Sequence, residues 1–337
     1  MNSKEFAKLI GVSQATVSRA LNDSELVPEA KRKYIQQQAR EYGFILNSYA
    51  KSLRTQRAST IGILFPKHFV SMGTNMMLAC LYDCIQQELH KYDYDIMVIH
   101  NALEAHGISS FERILRARKV DGFLILSMEL TVAETRLIEE YQVPCIFLLN
   151  ASAKLPSKLN YLFSDSKYGG IIAGEYLGKY SEYQKFFLSP KGGRDDAKRR
   201  LQGFRNGLEN MGYHLPEENI LYCDMSIESA YDCILKNRHR LDDRKSAFFT
   251  HNDILGLGVV SACQKLGYQI PDQVQLISMD DIPLASALHP QLSTLHVAVE
   301  EMVPRGCKLL IDMINGEACP TVREWIKPTL YLRETTL

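Results

Sequence analysis

Residues 12–22 read Val12-Ser13-Gln14-Ala15-Thr16-Val17-Ser18-Arg19-Ala20-Leu21-Asn22. Gly11 before them suits a left-handed turn, and Ser13 is a good helix N-cap. In the helix that follows, Val17, Ala20 and Leu21 share one face at spacings of three and four residues. Ser13, Gln14, Ala15, Thr16, Ser18, Arg19 and Asn22 supply a short polar surface with a single forked cation. Small side chains let such a surface press into a DNA major groove. Arg19 can reach a guanine edge or a phosphate, and Gln14 or Asn22 an adenine edge. Upstream, residues 4–10 have the pattern of a first helix with Phe6, Ala7 and Ile10 inward. Helix, glycine turn, helix is the helix-turn-helix plan, in which the second helix reads the bases. Taken alone, the pattern also describes an ordinary amphipathic surface helix.

The charge distribution sharpens that reading. The chain has 337 residues, 46% of them hydrophobic, with 39 Lys+Arg and 39 Asp+Glu. Residues 1–57 hold ten of the basic residues and five of the acidic ones, a formal +5, which leaves −5 on the rest. A basic head on an acidic body fits a polyanion partner for the head alone. A third helix is expected over 31–42, with Ile35 and Ala39 inward and Gly43 ending it. The stretch after it, Asn47-Ser48-Tyr49-Ala50-Lys51-Ser52-Leu53-Arg54, is polar and basic with one large apolar residue, Leu53. It reads as a plain linker, or as a DNA element in which Leu53 wedges a minor-groove step between Lys51 and Arg54 on phosphates. Its residues alone favour the linker.

From residue 60 the pattern changes. Apolar bursts at 61–65, 96–99, 123–126, 145–149, 161–163, 186–188, 220–223, 247–249 and 274–277 alternate with amphipathic stretches. Helices are expected at 75–92, 110–118, 134–141, 168–180, 197–211, 226–236 and 254–266. Such alternation means parallel sheets with helices on both faces, and the count calls for two Rossmann-like lobes. Ligands bind at the carboxyl ends of such strands. The candidates there are residues 66–75, including Met72, then Asn150, Arg194, Arg200, Asp224, Met225, His251-Asn252-Asp253 and Met279-Asp280-Asp281. Arg194 and Arg200, at a helix start, suit hydroxyls, carboxylates or phosphates. Locally they read more simply as a solvated basic run with Lys191, Lys198 and Arg199. Asp280 could accept from ligand hydroxyls or equally cap a helix.

Catalytic constellations are absent. Gly169-Gly170 and Gly192-Gly193 match no phosphate-binding loop. The pairs Asp195-Asp196 and Asp280-Asp281 lack a partner for acid–base work. The eight cysteines are scattered and form no CxxC; Cys80 and Cys84 lie one helical turn apart, but no nearby histidine or second pair supports a metal. Reduced thiols, no metal, no cofactor and no enzymatic activity are expected. No apolar run approaches the ~18 residues of a membrane span, and the charged N-terminus is not a signal peptide.

These positions together resemble the lactose-repressor (LacI/GalR) family of bacterial transcription regulators over nearly the whole chain. Gly11-Val12-Ser13, Ala15-Thr16-Val17-Ser18-Arg19 and Leu21-Asn22 look like its signature, and Tyr42-Gly43-Phe44, Asn47, Ala50, Ser52 and Leu53 like its hinge. In the body, Asp165 with Gly169-Gly170 and Ala173, Arg200-Leu201-Gln202-Gly203-Phe204, Asn252-Asp253 with Gly258, and Gly267 through Met279-Asp280-Asp281 are similar to its motifs. Pro290 with Leu292-Ser293-Thr294-Leu295, and Arg333-Glu334-Thr335-Thr336, are similar too. The resemblance implies a hinge that folds on operator DNA with Leu53 as its wedge, and effector contacts from Arg200, Asn252 and Asp280. It adds Arg194 as a second arginine of purine-responsive members and sets Met225 where an aromatic often stacks. Leu46 departs from the usual hinge proline, Leu149 from an Asp or Asn that Asn150 replaces, and Ala298 from a proline.

The sequence thus implies a small all-α helix-turn-helix head over 1–45, a hinge over 46–58 and an α/β, periplasmic-binding-protein-like body over 59–337. The N-lobe is expected to take about 59–160 and 291–320, and the C-lobe about 161–290 and 321–337. The implied function is a repressor whose grip on a pseudo-palindromic operator is set by a sugar or purine-like effector, acting as a homodimer on the nucleoid in the bacterial cytoplasm, with no membrane partner. No heptad tail follows the body, so a dimer is expected rather than a tetramer. The alternatives are a regulator that has lost effector response and a ligand-binding protein with non-specific DNA affinity.

Overall fold

The computed structural model describes residues 1–44, 57–66, 75–103, 107–126, 130–149, 159–242 and 244–337. It divides into two compact units, Met1–Ser59 and Thr60–Leu337.

The first unit is three helices, α1 Ser3–Leu9, α2 Gln14–Leu21 and α3 Glu29–Glu41. Asn2 and Glu5 form a capping box at the start of α1. Gly11 takes the left-handed turn at φ +68°, and Ser13 accepts from the Thr16 N–H as the cap of α2. The apolar faces close on Phe6, Ala7, Val17, Ala20, Val27, Ile35, Ala39 and Phe44, with Phe6 stacked on Phe44 at 4.2 Å. Ile10 and Leu21, expected inside, are only half-buried against this core. Gln36 of α3 donates to Ala20 O at 3.2 Å and Asp23 Oδ1 at 2.7 Å, which fixes the end of α2. Helix α3 starts earlier than expected, at Glu29, because Pro28 leads the chain into the first turn with its fixed φ.

Along the second unit run β1 Thr60–Phe65, α4 Met76–His90, β2 Asp95–His100, α5 Ser110–Arg116, β3 Gly122–Ile125, α6 Val132–Tyr141, β4 Cys145–Leu149, β5 Asn160–Ser164 and α7 Ser166–Gly178. Then come β6 Gln184–Pro190, α8 Asp195–Asn210, β7 Ile220–Cys223, α9 Ile227–Lys236, β8 Ser246–Thr250, α10 Asp253–Leu266, β9 Val274–Asp280, α11 Pro283–Ala287, β10 Ser293–His296, α12 Val299–Ile314, β11 Arg323–Ile326 and β12 Thr329–Tyr331. They build two six-stranded sheets, ordered β11-β5-β4-β3-β1-β2 and β12-β10-β9-β8-β6-β7. Every pairing is parallel except that of β10 with β12. Each lobe repeats one winding, with a switch point beside its first strand: β1 lies between β2 and β3, β6 between β7 and β8.

The lobe boundaries differ from the sequence expectation. Strand β5, to Ser164, belongs to the first sheet, so the chain crosses after it and not at 161. Strand β10 stays in the second sheet, and the return crossing is Val297-Ala298. The tail then visits both lobes: β11 pairs with β5, and β12 closes on β10. Apolar bursts report burial but not which sheet a strand joins. Ser293-Thr294-Leu295-His296 is not even a burst; its neighbours on both sides bury it.

Helices α7 and α8 touch backbone to backbone. A Cβ on Gly170 would lie 2.3 Å from Arg200 O, on Gly174 2.5 Å from Phe204 O, on Gly203 2.0 Å from Lys167 O, and on Gly207 2.2 Å from Ile171 O. Only glycine permits that approach. It brings the buried Arg200 against the start of α7.

Candidate functional site: a DNA-reading face and a ligand cleft

On α2, Gln14, Ala15 and Arg19 are exposed, while Thr16, Ser18 and Asn22 are half-buried. The small residues leave Arg19 standing clear, and no hydrogen bond or ion pair holds it among the described residues. Ser13 uses its Oγ on the cap and on Thr16 Oγ1 at 2.8 Å. Asn22 donates Nδ2 to Ser18 O at 2.6 Å, so one N–H of its amide is already engaged. Of the expected DNA contacts, Asn47, Ala50, Lys51, Leu53 and Arg54 lie outside the described residues, as do Met72 and Asn150 of the expected effector contacts.

In the body, the carboxyl ends of β6, β8 and β9 gather Arg194, Arg200, Asn252 and Asp280. Arg200 is 3% exposed, yet only its Nη2 has a partner, Ser166 Oγ at 3.4 Å, and Nε and Nη1 have none. A buried guanidinium with orphaned donors costs about 1–3 kcal/mol or more, the mark of groups awaiting a ligand. Asp280 faces it: burial pushes this carboxyl up, Asp253 and Asp196 add to the rise, and Arg200 opposes it. Asn252 gives Oδ1 to the Leu255 N–H as the cap of α10, leaving its amide nitrogen to donate. Met225, between β7 and α9, is half-buried against the core.

Arg194 is already engaged. It holds Asp196 with a two-pronged pair at 3.0 and 2.9 Å, and Asp196 is 6% exposed. Burial works against the Asp196 anion, but the surrounding cations hold its carboxyl well below the usual range. His251 lies 3.7 Å from it, yet burial and the Arg200 charge push that imidazole far below its ordinary value. The direct hydrogen bonds to Asp196 come from Arg194, and His251 stands farther off. The doublet Asp195-Asp196 thus divides into an outer residue facing Lys198 at 3.8 Å and an inner one inside the cluster, which periodicity could have suggested.

Asp253 had no role of its own among the strand-end candidates. It is fully buried, accepting from Thr294 Oγ1 at 2.6 Å and from the Ile282 N–H at 2.9 Å. It thereby pins the turn in which Asp280 and Asp281 take φ of +125° and +59°. Each such residue costs of order 1–3 kcal/mol and persists only where its surroundings enforce it. This turn sets Asp280 at the carboxyl end of β9. Nothing local in the sequence announces this clamp, because Thr294 and Ile282 come from distant segments.

Among the described residues no group of three or more His, Cys, Asp or Glu could hold a metal, and no helix is long and apolar enough to cross a membrane. A helix-turn-helix head, joined in one chain to a two-lobed body whose strand ends gather a buried arginine with two unsatisfied N–H groups and a buried acid, has the make-up of a ligand-responsive DNA-binding regulator. Residues 4–47 match the family described as "Bacterial regulatory proteins, lacI family", and residues 184–336 match "Periplasmic binding protein-like domain". The head is thus similar to the lacI regulators and the second half of the body to periplasmic-binding-protein-like domains. It is 26% identical over 337 residues to the HTH-type transcriptional repressor PurR of Vibrio vulnificus (strain CMCP6), covering 98% of this chain and 97% of that one. It is equally 26% identical over 332 residues to the ribose operon repressor of Escherichia coli (strain K12), with 98% of each covered. The lac repressor dimer bound to operator and the anti-inducer ONPF shares the fold at TM-score 0.82 and 20% identity, over 100% of this chain and 99% of that one. These relatives are repressors, and the family is not enzymatic.

Proposed function

We propose that this protein is a homodimeric transcriptional repressor whose hold on a pseudo-palindromic operator is set by a small effector bound between the lobes. It works on the nucleoid in the bacterial cytoplasm, where that operator lies. Arg19 and Gln14 read base edges, with Ser13, Ala15, Thr16, Ser18 and Asn22 shaping the helix surface. Asn47, Ala50, Lys51, Leu53 and Arg54 supply the hinge contacts, Leu53 as the wedge. Arg200, Asn252 and Asp280 hold the effector from the second lobe, flanked by Arg194 and Met225, and Met72 and Asn150 come from the first.

The observation that carries the effector reading is Arg200, buried with two N–H donors unpaired near a buried acid that a strained turn sets at the end of β9. A donor fork facing an acceptor suits adjacent hydroxyls, which both give and receive. A regulator that had lost its effector would have no use for an orphaned buried cation. A sugar is the better fit than a purine, because Met225 offers no aromatic face to a base. The ribose and purine repressors among the relatives make both classes the natural test panel.

Binding sites are selected from random duplexes, then sugars, nucleosides and nucleobases are screened by thermal shift against wild type and Arg200→Ala. The reading requires one selected motif with two half-sites and one ligand class that stabilises only the wild type. Equal affinity for scrambled duplexes would end the DNA reading, and stabilisation of both proteins alike would end the effector reading.

A further inference from the structure

The turn that carries Asp280 is tied to the crossover between the lobes through one imidazole. His296 ends β10 in register with Asp280 of β9. Two residues later the chain passes into α12, whose first turn carries Glu300 and whose buried face packs on α4 and on β3, β4 and β5. His296 Nδ1 lies 2.9 Å from Asp281 Oδ2, and its Nε2 lies 2.8 Å from Glu300 Oε1. Both partners present acceptor oxygens: Asp281 Oδ1 takes Arg333 Nη2 at 2.6 Å, and the Glu300 side chain is 67% exposed. A carboxylate only accepts, and a neutral imidazole has a single N–H. In either neutral tautomer one ring lone pair would face a carboxylate oxygen. The arrangement needs both N–H groups, that is, the imidazolium.

The surroundings agree. Tyr331 of β12 stacks on the imidazole at 5.0 Å and 16°, a face that favours a cation. The charged and titratable groups around His296 are Asp281 on the turn after β9, its ladder partner Asp280, Glu300 on α12, Tyr331 on β12 and Arg333 beyond it. Behind Glu300 stand Cys84 and Asp83 of α4. With His296 charged, the Arg333–Asp281–His296–Glu300 chain is neutral; without that proton it carries one uncompensated negative charge. Burial works against the imidazolium, but the hydrogen bonds to Glu300 and Asp281 outweigh it and raise the ring above its ordinary value. Glu300 is held correspondingly low despite its own partial burial.

We infer that His296 is a positioning residue, an imidazolium clasp that couples the effector-bearing turn to the α12 crossover and makes lobe arrangement depend on pH. This rests on the proposed effector reading only for its biological meaning; the clasp itself is measurable without DNA or ligand. Its contribution is complete below the ordinary imidazole range near pH ~6.5 and is lost as the pH rises through the raised value. The more exposed contact, to Glu300, is the one given up.

The full-length protein carries its own reporter. Trp325, the only tryptophan, lies on β11 of the first sheet, with the Arg199 guanidinium of second-lobe α8 4.1 Å from its ring centre. Labelled-histidine NMR gives the protonation state of His296, and Trp325 emission gives the lobe contact, both followed from mildly acid to alkaline pH. The clasp predicts two N–H signals on His296 at neutral pH and an emission change with the same midpoint. Glu300→Gln, at an exposed position where folding is safe, is expected to lower that midpoint by about one pH unit. His296→Gln is expected to abolish the emission change while circular dichroism stays native. A single-N–H His296 at neutral pH, an unmoved midpoint in Glu300→Gln, or an emission change that survives in His296→Gln overturns the inference. Failure to find an operator or effector leaves these readouts untouched and bears only on the function proposed above.

Discussion

Gly203→Ala probes the contact that places Arg200. The new Cβ would sit 2.0 Å from Lys167 O, with Lys167 C at 2.8 Å and Gly170 Cα at 3.1 Å. The obstacle is backbone on a helix, not the end of a flexible side chain, so α7 and α8 must part. Overpacking of this kind costs typically about 1–3 kcal/mol, and the absence of any yielding atom puts this site at the upper end, near 3. Alanine returns roughly 1 kcal/mol through its better helix propensity. The net is a loss of about 2 kcal/mol, or roughly 3–4 °C in Tm for a unit of this size. Gly169→Ala on α7 is the control, because its neighbours are the side-chain atoms Pro328 Cγ, Leu295 Cδ1 and Met279 Sδ at 3.1–3.5 Å. Denaturant unfolding of the isolated mutants, with m unchanged, reads the difference. A Gly203→Ala midpoint equal to that of wild type, or a loss no larger than that of Gly169→Ala, would refute the backbone-contact argument.

Arg19→Ala is expected to weaken binding to the selected operator by about 1–3 kcal/mol and to relax preference at one base pair, read by titration on single-substituted duplexes; a uniform loss across all sequences would make Arg19 a phosphate contact. Phe6→Ala removes a fully buried ring from an eight-residue core at a cost of about 3–5 kcal/mol, comparable to all that so small a domain can muster. Head amide signals should collapse in NMR while the body's melting is unchanged, and a dispersed head spectrum would count against this core. Asp280→Asn should abolish effector response yet stabilise the ligand-free body. Because the folded carboxyl is raised by burial, the folded state holds its proton to higher pH than the unfolded chain, and the ionised form costs stability as pH climbs. The melting advantage of Asp280→Asn should therefore be absent in acid and grow through neutral pH; an advantage that does not vary with pH would remove the buried-charge argument.

Much of this was legible in the residues. The head followed from local rules: a left-handed glycine at 11, a serine cap at 13 and an apolar stripe at helical spacing all act within one or two turns. The nine apolar bursts marked nine of the twelve described strands because central parallel strands are buried on both faces; the edge strand β2 kept an apolar run although only Ile99 of it is buried. Asn252 and Asp280 stand at strand ends, and Arg200 near the start of the helix after β6, as their spacing had suggested. Less was visible of what those side chains do. Arg194 looked like a second ligand arginine, but Asp196, turned inward by the first turn of α8, engages it. Asn22 looked like a base reader, and one N–H of its amide closes back on Ser18. Such pairings depend on rotamers and neighbours that spacing does not carry.

The two kinds of architecture and the strand ends were written in the chain, since periodicity and capping are local properties. The packed fold was needed to place β5 and β11 in one lobe and β10 and β12 in the other, to bring Asp253 onto a strained turn 29 residues away, and to stand His296 between two carboxyl groups. Those are long-range contacts, made when distant segments pack, and hydrogen-bond geometry exists only once they have.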